Sequence, residues 1–177
     1  RQRAMDVLLI VIAIALLGRT LVAGSTLEVA EIAAIALLLP LLREQCDVAA
    51  VKRGKKGPPR GTDLCVYHIG NNPDAHGWIV EALRRTPGVV VLHDFVLHHL
   101  VAGLTIGRRD GHGYLDAMER EGGVVGRLLG HAVLDKRIPP LWENRPEDFH
   151  LAGEVLDLAT GLIVFGGYAG RAAPHHI

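Results

Sequence analysis

The sequence predicts an α/β fold: a Rossmann-like three-layer sandwich with a mainly parallel sheet, in one domain over residues 1–177 whose end, 166–177, is an irregular tail. Three observations lead there. Short apolar runs rich in β-branched residues, at 64–69 and 89–92, alternate with stretches of helical period. Each run stops abruptly in a polar turn, Gly70-Asn71-Asn72-Pro73-Asp74 after the first and His93-Asp94 after the second. A single helix-length segment, ended by Pro87-Gly88, joins the two runs. That is the pattern of a right-handed βαβ unit, which makes the strands parallel and adjacent and brings both polar turns to one edge of the sheet. A chain of 177 residues is long enough for one domain with a substantial core.

At the amino end, residues 7–18 carry no polar side chain. Twelve residues fall short of the roughly 20 that span a bilayer. The stretch reads as a first buried strand with the start of its loop. A signal segment is the alternative, with Arg1 and Arg3 before it and cleavage near Ala23. Ser25-Thr26-Leu27-Glu28 fits a capping box, so a helix is expected through about Arg43, kinked or ended early by Pro40. Residues 47–51 form a short strand candidate. The loop after it carries Lys52, Arg53, Lys55, Lys56 and Arg60 with no acid among them. It reads as a solvated connection, with a peripheral contact to anionic lipid headgroups or phosphates as the functional alternative. Cys46 and Cys65 are too few for a disulfide framework and are expected reduced and buried, in a cytoplasmic setting. The loop after the first strand has Gly18 and Gly24 but no G-x-G-x-x-G, so no dinucleotide and no other cofactor is expected.

Asp74 is the expected cap of a helix running to about Thr86, with Trp78, Ile79, Ala82 and Leu83 on one face. A further helix is expected over 95–103, with His98 on the face of Asp94, four residues earlier. Residues 107–113 read as a loop and 114–134 as one or two helices interrupted at Gly122-Gly123. Residues 135–146 read as a polar connection around Pro139-Pro140 and Trp142. A helix end over 154–159, stopped near Gly161, and a last strand at 162–165 complete the order. Nineteen basic and nineteen acidic side chains cancel, so nothing global attracts nucleic acid.

In open parallel sheets, ligands bind beyond the carboxyl ends of the strands. His93 and Asp94 stand there as candidate catalytic residues, with capping of the next helix by Asp94 as the other reading. Gly70, Asn71 and Asn72 can hydrogen-bond a hydroxylated ligand, or can simply make the turn. His93, Asp94, His98 and His76 are metal-ligand types. No histidine pair has the i, i+4 spacing of a helical zinc motif, and no metal is expected.

Three series of residues resemble a known family. They are Tyr67-His68-Ile69-Gly70-Asn71-Asn72-Pro73, then Pro87-Gly88-Val89-Val90-Val91-Leu92-His93-Asp94, then Leu97-His98-His99-Leu100. Tyr114-Leu115, Ile138-Pro139-Pro140-Leu141-Trp142 and Ala159-Thr160-Gly161-Leu162-Ile163-Val164 follow in the same order. Together, from about Cys46 to Tyr168, they are similar to the amino-terminal domain of bacterial family 4 glycosyltransferases, enzymes of two-domain GT-B architecture. The resemblance implies transfer of a sugar from a nucleotide-sugar donor to an acceptor, without a metal. The chain would supply the acceptor-side half, and a second domain would hold most of the nucleotide. It places His93 facing the cleft, with the Gly70-Asn71-Asn72 loop beside it; Asp94 joins His93 as a candidate catalytic residue, and His68 and His98 join Gly70, Asn71 and Asn72 as candidate substrate-binding residues. A neutral or protonated histidine there can position an acceptor hydroxyl or polarise a developing charge. Two other classes fit the residues: a binding module that keeps the sheet-edge site without turnover, and a metal-dependent hydrolase using His93, Asp94 and His98.

Overall fold

In the computed structural model the described residues are 6–10, 39–51, 53–54 and 58–164. Five strands form one sheet: β1 (Asp6–Ile10), β2 (Asp47–Val48), β3 (Leu64–Ile69), β4 (Gly88–Leu92) and β5 (Ala159–Val164). Their order is β2-β1-β3-β4-β5 and every neighbouring pair is parallel. The chain steps from β1 to one side for β2 and to the other for β3. The crevice of a doubly wound sheet opens at such a reversal, outside the carboxyl ends of the strands. The fold is α/β with a parallel sheet, as the alternation of runs and helices predicts. No helix among the described residues is long and apolar enough to cross a membrane.

β3 shows why the sheet is buried on both sides. Cys65 through Ile69 are all buried, and period-two alternation sends them to opposite faces. Tyr67 and Ile69 join Val90 and Leu92 of β4 in the main core. The helices α1 (Pro73–Arg85) and α2 (His98–Leu104) cover that side, through Ile79, Leu83 and Leu100. Val66 and Val91 point the other way, against Leu39, Leu42 and Val48. A second core cluster gathers Ala102, Tyr114, Met118, Val133, Leu141 and Phe149. It ties the long helix α3 (Gly111–Leu134) and the short α4 (Leu141–Asn144) to α2; α5 (Gly153–Leu158) then leads directly into β5.

Local chemistry corrects several boundaries. The cap of α1 is Asn72, not Asp74: Asn72 Oδ1 accepts from the amides of Asp74 and Ala75, at 2.9 and 3.2 Å. Asp74 sits in the first turn instead, where its charge complements the helix dipole. The second helix starts at His98 instead of residue 95, so Asp94 caps nothing; its carboxylate turns back to the β3 loop. The connection 135–146 contains the helical turn α4. Gly161 does not stop a helix but lies inside β5 opposite Val89, where a Cβ would stand 3.3 Å from Val89 Cγ2. The break at Gly122-Gly123 is present as a kink within α3, at Gly123 with φ 58° and ψ −146°. Cys65 is buried and both cysteines are free thiols, Cys46 being half-buried with its Sγ 3.2 Å from Leu42 O. Strand β1 covers part of the amino-terminal run. Residues 11–18, the capping box at Ser25–Glu28, three of the basic-loop side chains (Lys52, Lys55, Lys56) and the tail 166–177 lie outside the described residues. Arg53 is described, and its Nη1 donates to Asp74 O at 3.3 Å, joining that loop to the start of α1.

Candidate functional site

The register of β3 against β4 builds the site. His68 pairs with Val91 and Ile69 with Leu92, and the His93 amide continues the ladder to Ile69 O at 2.9 Å. His93 is two residues beyond Val91, so alternation sends it to the same face as His68. The two imidazoles meet there: His68 Nδ1 lies 3.0 Å from His93 Nε2, with ring centroids 5.2 Å apart and planes 26° apart. His68 is buried and His93 half-buried.

The polar turns lock to each other at the same edge. Asp94 Oδ2 accepts from the Asn71 amide at 2.9 Å, and Asn71 Oδ1 accepts from the Leu100 amide at 3.1 Å. One asparagine thus links the β3 turn, the residue after His93, and the first turn of α2. His76 Nδ1 lies 3.1 Å from the Gly70 amide nitrogen and 3.3 Å from His68 O, so the His76 ring packs against the backbone at the end of β3. Gly70 is closely packed: a Cβ there would stand 3.1 Å from Asp94 Oδ2 and 3.2 Å from His76 Nε2, so a larger residue would press on both side chains. His76, on α1, is therefore part of this edge through its backbone contact.

The electrostatics favour neutral rings. Burial, with the nearby His93 and His76, pushes the His68 imidazole down to about 4. Burial and His76 also lower His93, against an opposing pull from Asp94. At neutral pH both are uncharged hydrogen-bonding groups, and a single proton bridges the contact between them. His68 Nε2 is buried and has no hydrogen-bond partner among the described residues.

His98 belongs elsewhere. It is fully buried in the second cluster. Its Nδ1 is 3.0 Å from Phe149 O and its Nε2 2.9 Å from the Tyr114 hydroxyl. The carbonyl can only accept, so Nδ1 donates and Nε2 accepts from Tyr114. Both nitrogens are committed to protein partners, which removes His98 from contact with substrate and from any ligand set with His93 and Asp94. Among the described residues no group of three or more His, Cys, Asp or Glu side chains is arranged to hold a metal ion. His68 likewise is turned inward, against His93, while Gly70, Asn71, Asn72, His93 and Asp94 share the sheet edge. Asn72 is occupied as the α1 cap.

The His68–His93 contact follows from strand register, which residue spacing alone signals only indirectly. If strands ending at 69 and 92 pair in register, 68 and 93 fall on one face as diagonal neighbours. A cleft of about 550 Å³ between α1, α2, α3 and α5 has a wall of Val80, Leu104, Ala117 and Val155 and a rim bearing Arg84–Glu154 and Arg120–Asp157; the histidine group does not line it. No family model matches the chain, and no curated protein or solved structure matches it either.

Proposed function

We propose that this chain is the acceptor-side half of a GT-B glycosyltransferase, working with a nucleotide-sugar donor, and that His93 is the group that meets the reacting centre. The observation that supports this most directly is the polar group at the carboxyl ends of β3 and β4. His93 is half-buried, held through its ring by His68, and flanked by Asp94 and the Asn71 turn at the edge where doubly wound sheets receive ligands. Rigid strand ends hold these groups, as positioning a hydroxyl for transfer requires. Asp94 acts through the Asn71 amide, fixing the turn beside His93. The resemblance of the three motif series to family 4 glycosyltransferases supplies the reaction class.

The test is a titration of the ¹⁵N-labelled chain with UDP-, GDP- and ADP-sugars and with polyhydroxylated acceptors, followed at the His93 ring and at the Gly70, Asn71 and Asn72 amides. At least one acceptor class should shift these resonances saturably. His93→Ala should weaken that binding, and Tm should move by only a few degrees because no large apolar volume is lost. Shifts confined to residues away from this edge, or none across the whole panel, overturn the assignment. A metal-dependent response at His93 with no sugar response would favour hydrolytic chemistry instead.

A further inference from the structure

We infer that His68 is a positioning residue that holds His93 in the Nδ1–H tautomer, so that His93 meets a bound oxygen as a neutral hydrogen-bond donor and not as a base. The inference rests on the proposed function only in assigning a substrate oxygen to His93; the tautomer itself follows from the protein alone.

His68 Nδ1 and His93 Nε2 are 3.0 Å apart. Two bare nitrogens at that distance repel, and two protonated ones collide, so one proton lies between them. Which ring supplies it is decided at the far side of His68. That nitrogen, Nε2, is shielded from solvent and has no partner among the described residues. With the His68 proton on Nε2, a donor would be buried unpaired. With the proton on Nδ1, the hydrogen is used in the bond to His93 and only a lone pair is left over. Orphaned buried N–H groups are the rarer defect. His68 therefore donates, and His93 Nε2 accepts.

A neutral imidazole has one proton, so His93 carries its own on Nδ1. Because Nε2 is taken by His68, any contact of His93 with a ligand runs through Nδ1. The groups around the pair keep this arrangement uncharged: burial lowers both rings, His76 opposes a positive charge on either, and Asp94 favours one on His93. The ligand chemistry that fits is an oxygen acceptor, either a hydroxyl oxygen used as acceptor or a partly negative phosphoryl oxygen. Proton abstraction from a hydroxyl would first require the tautomer to reverse.

The experiment is a long-range ¹H–¹⁵N correlation of the histidine rings in the full labelled chain at pH 7.5, where protonated and bare ring nitrogens resonate far apart. The expected pattern is a protonated Nδ1 on both His68 and His93 and a bare His93 Nε2. His68→Asn, whose amide nitrogen can stand where Nδ1 stood, should keep the His93 pattern. His68→Leu should release it towards the Nε2–H form and lower acceptor affinity by about tenfold, the net worth of one aligned hydrogen bond. A protonated His93 Nε2 in the unmodified protein overturns the inference, and so does a His93 pattern that His68→Leu leaves unchanged. The spectrum of the unmodified protein decides the tautomer even where His68→Leu does not fold. A correct tautomer with no ligand response at His93 would leave this inference standing and count against the proposed function.

Discussion

Replacing His98 by asparagine should flatten the acid side of the stability curve. His98 is fully buried, and burial lowers its imidazole from 6.5 to about 4 despite the bond to Phe149 O. Above pH 6.5 the ring is neutral folded and unfolded alike and contributes no pH dependence. Below that, the unfolded chain takes up a proton that the folded one refuses until about pH 4, so stability falls with acid across this window and levels beneath it. A shift of this size corresponds to roughly 3 kcal/mol in total, lost at about 1 kcal/mol per pH unit between pH 6 and 5. His98→Asn keeps a donor near Phe149 O but does not titrate. It should be less stable at neutral pH by about 1–3 kcal/mol, because the Tyr114 hydroxyl loses its buried acceptor. Its stability should also decline less steeply than the parent's. Urea unfolding at pH 7.5, 6.0 and 5.0 for both proteins reads the difference directly, and background carboxylate titration cancels in the comparison. Parallel curves would refute the buried neutral histidine.

Other perturbations have equally specific outcomes. Asn72→Ala removes the acceptor for two α1 amides and should cost about 1 kcal/mol, a Tm drop of a few degrees in thermal unfolding. Gly123→Ala should destabilise by about 1–3 kcal/mol through the backbone alone. Its φ of 58° with ψ −146° excludes most side chains, yet nothing lies within 4 Å of the Cβ position. Unfolding ΔG unchanged within error would show that the kink is not needed. Glu121→Ala strips the carboxylate that accepts from the His150 and Leu151 amides, at 2.5 and 2.6 Å, where Leu151 is buried at a positive φ of 54°. Faster amide exchange at 150 and 151, with β3 and β4 unaffected, is the expected result; uniform exchange changes would mean that Glu121 supports the whole domain.

How much was legible in advance varies by element. Local composition determined β3 to the residue, since Leu64–Ile69 is a compact apolar run closed by strong turn formers. It also determined the parallel pairing with β4, because one helix between two strands has a single favoured handedness. The edge location of His93, Asp94 and the Asn71-Asn72 turn follows from the same topology. Helix starts were less legible. Asn72 and Asp74 are both good capping types two residues apart, and only the backbone course decides which oxygen reaches the free amides. Residues 95–97 have helical composition, yet the Leu97 amide bonds to His150 O at 2.6 Å, a partner 53 residues away that delays the helix. The roles of the histidines depended wholly on tertiary structure. By sequence His68 and His93 stand near strand ends and His98 on the helix that follows, and nothing local says which of the three faces a ligand. Packing divides them: His98 is enclosed by Phe149 and Tyr114, which no local spacing announces, and His68 is folded inward against His93 by the register of two strands 25 residues apart. A side chain's chemistry is set by what surrounds both of its nitrogens, and those neighbours come from distant parts of the chain.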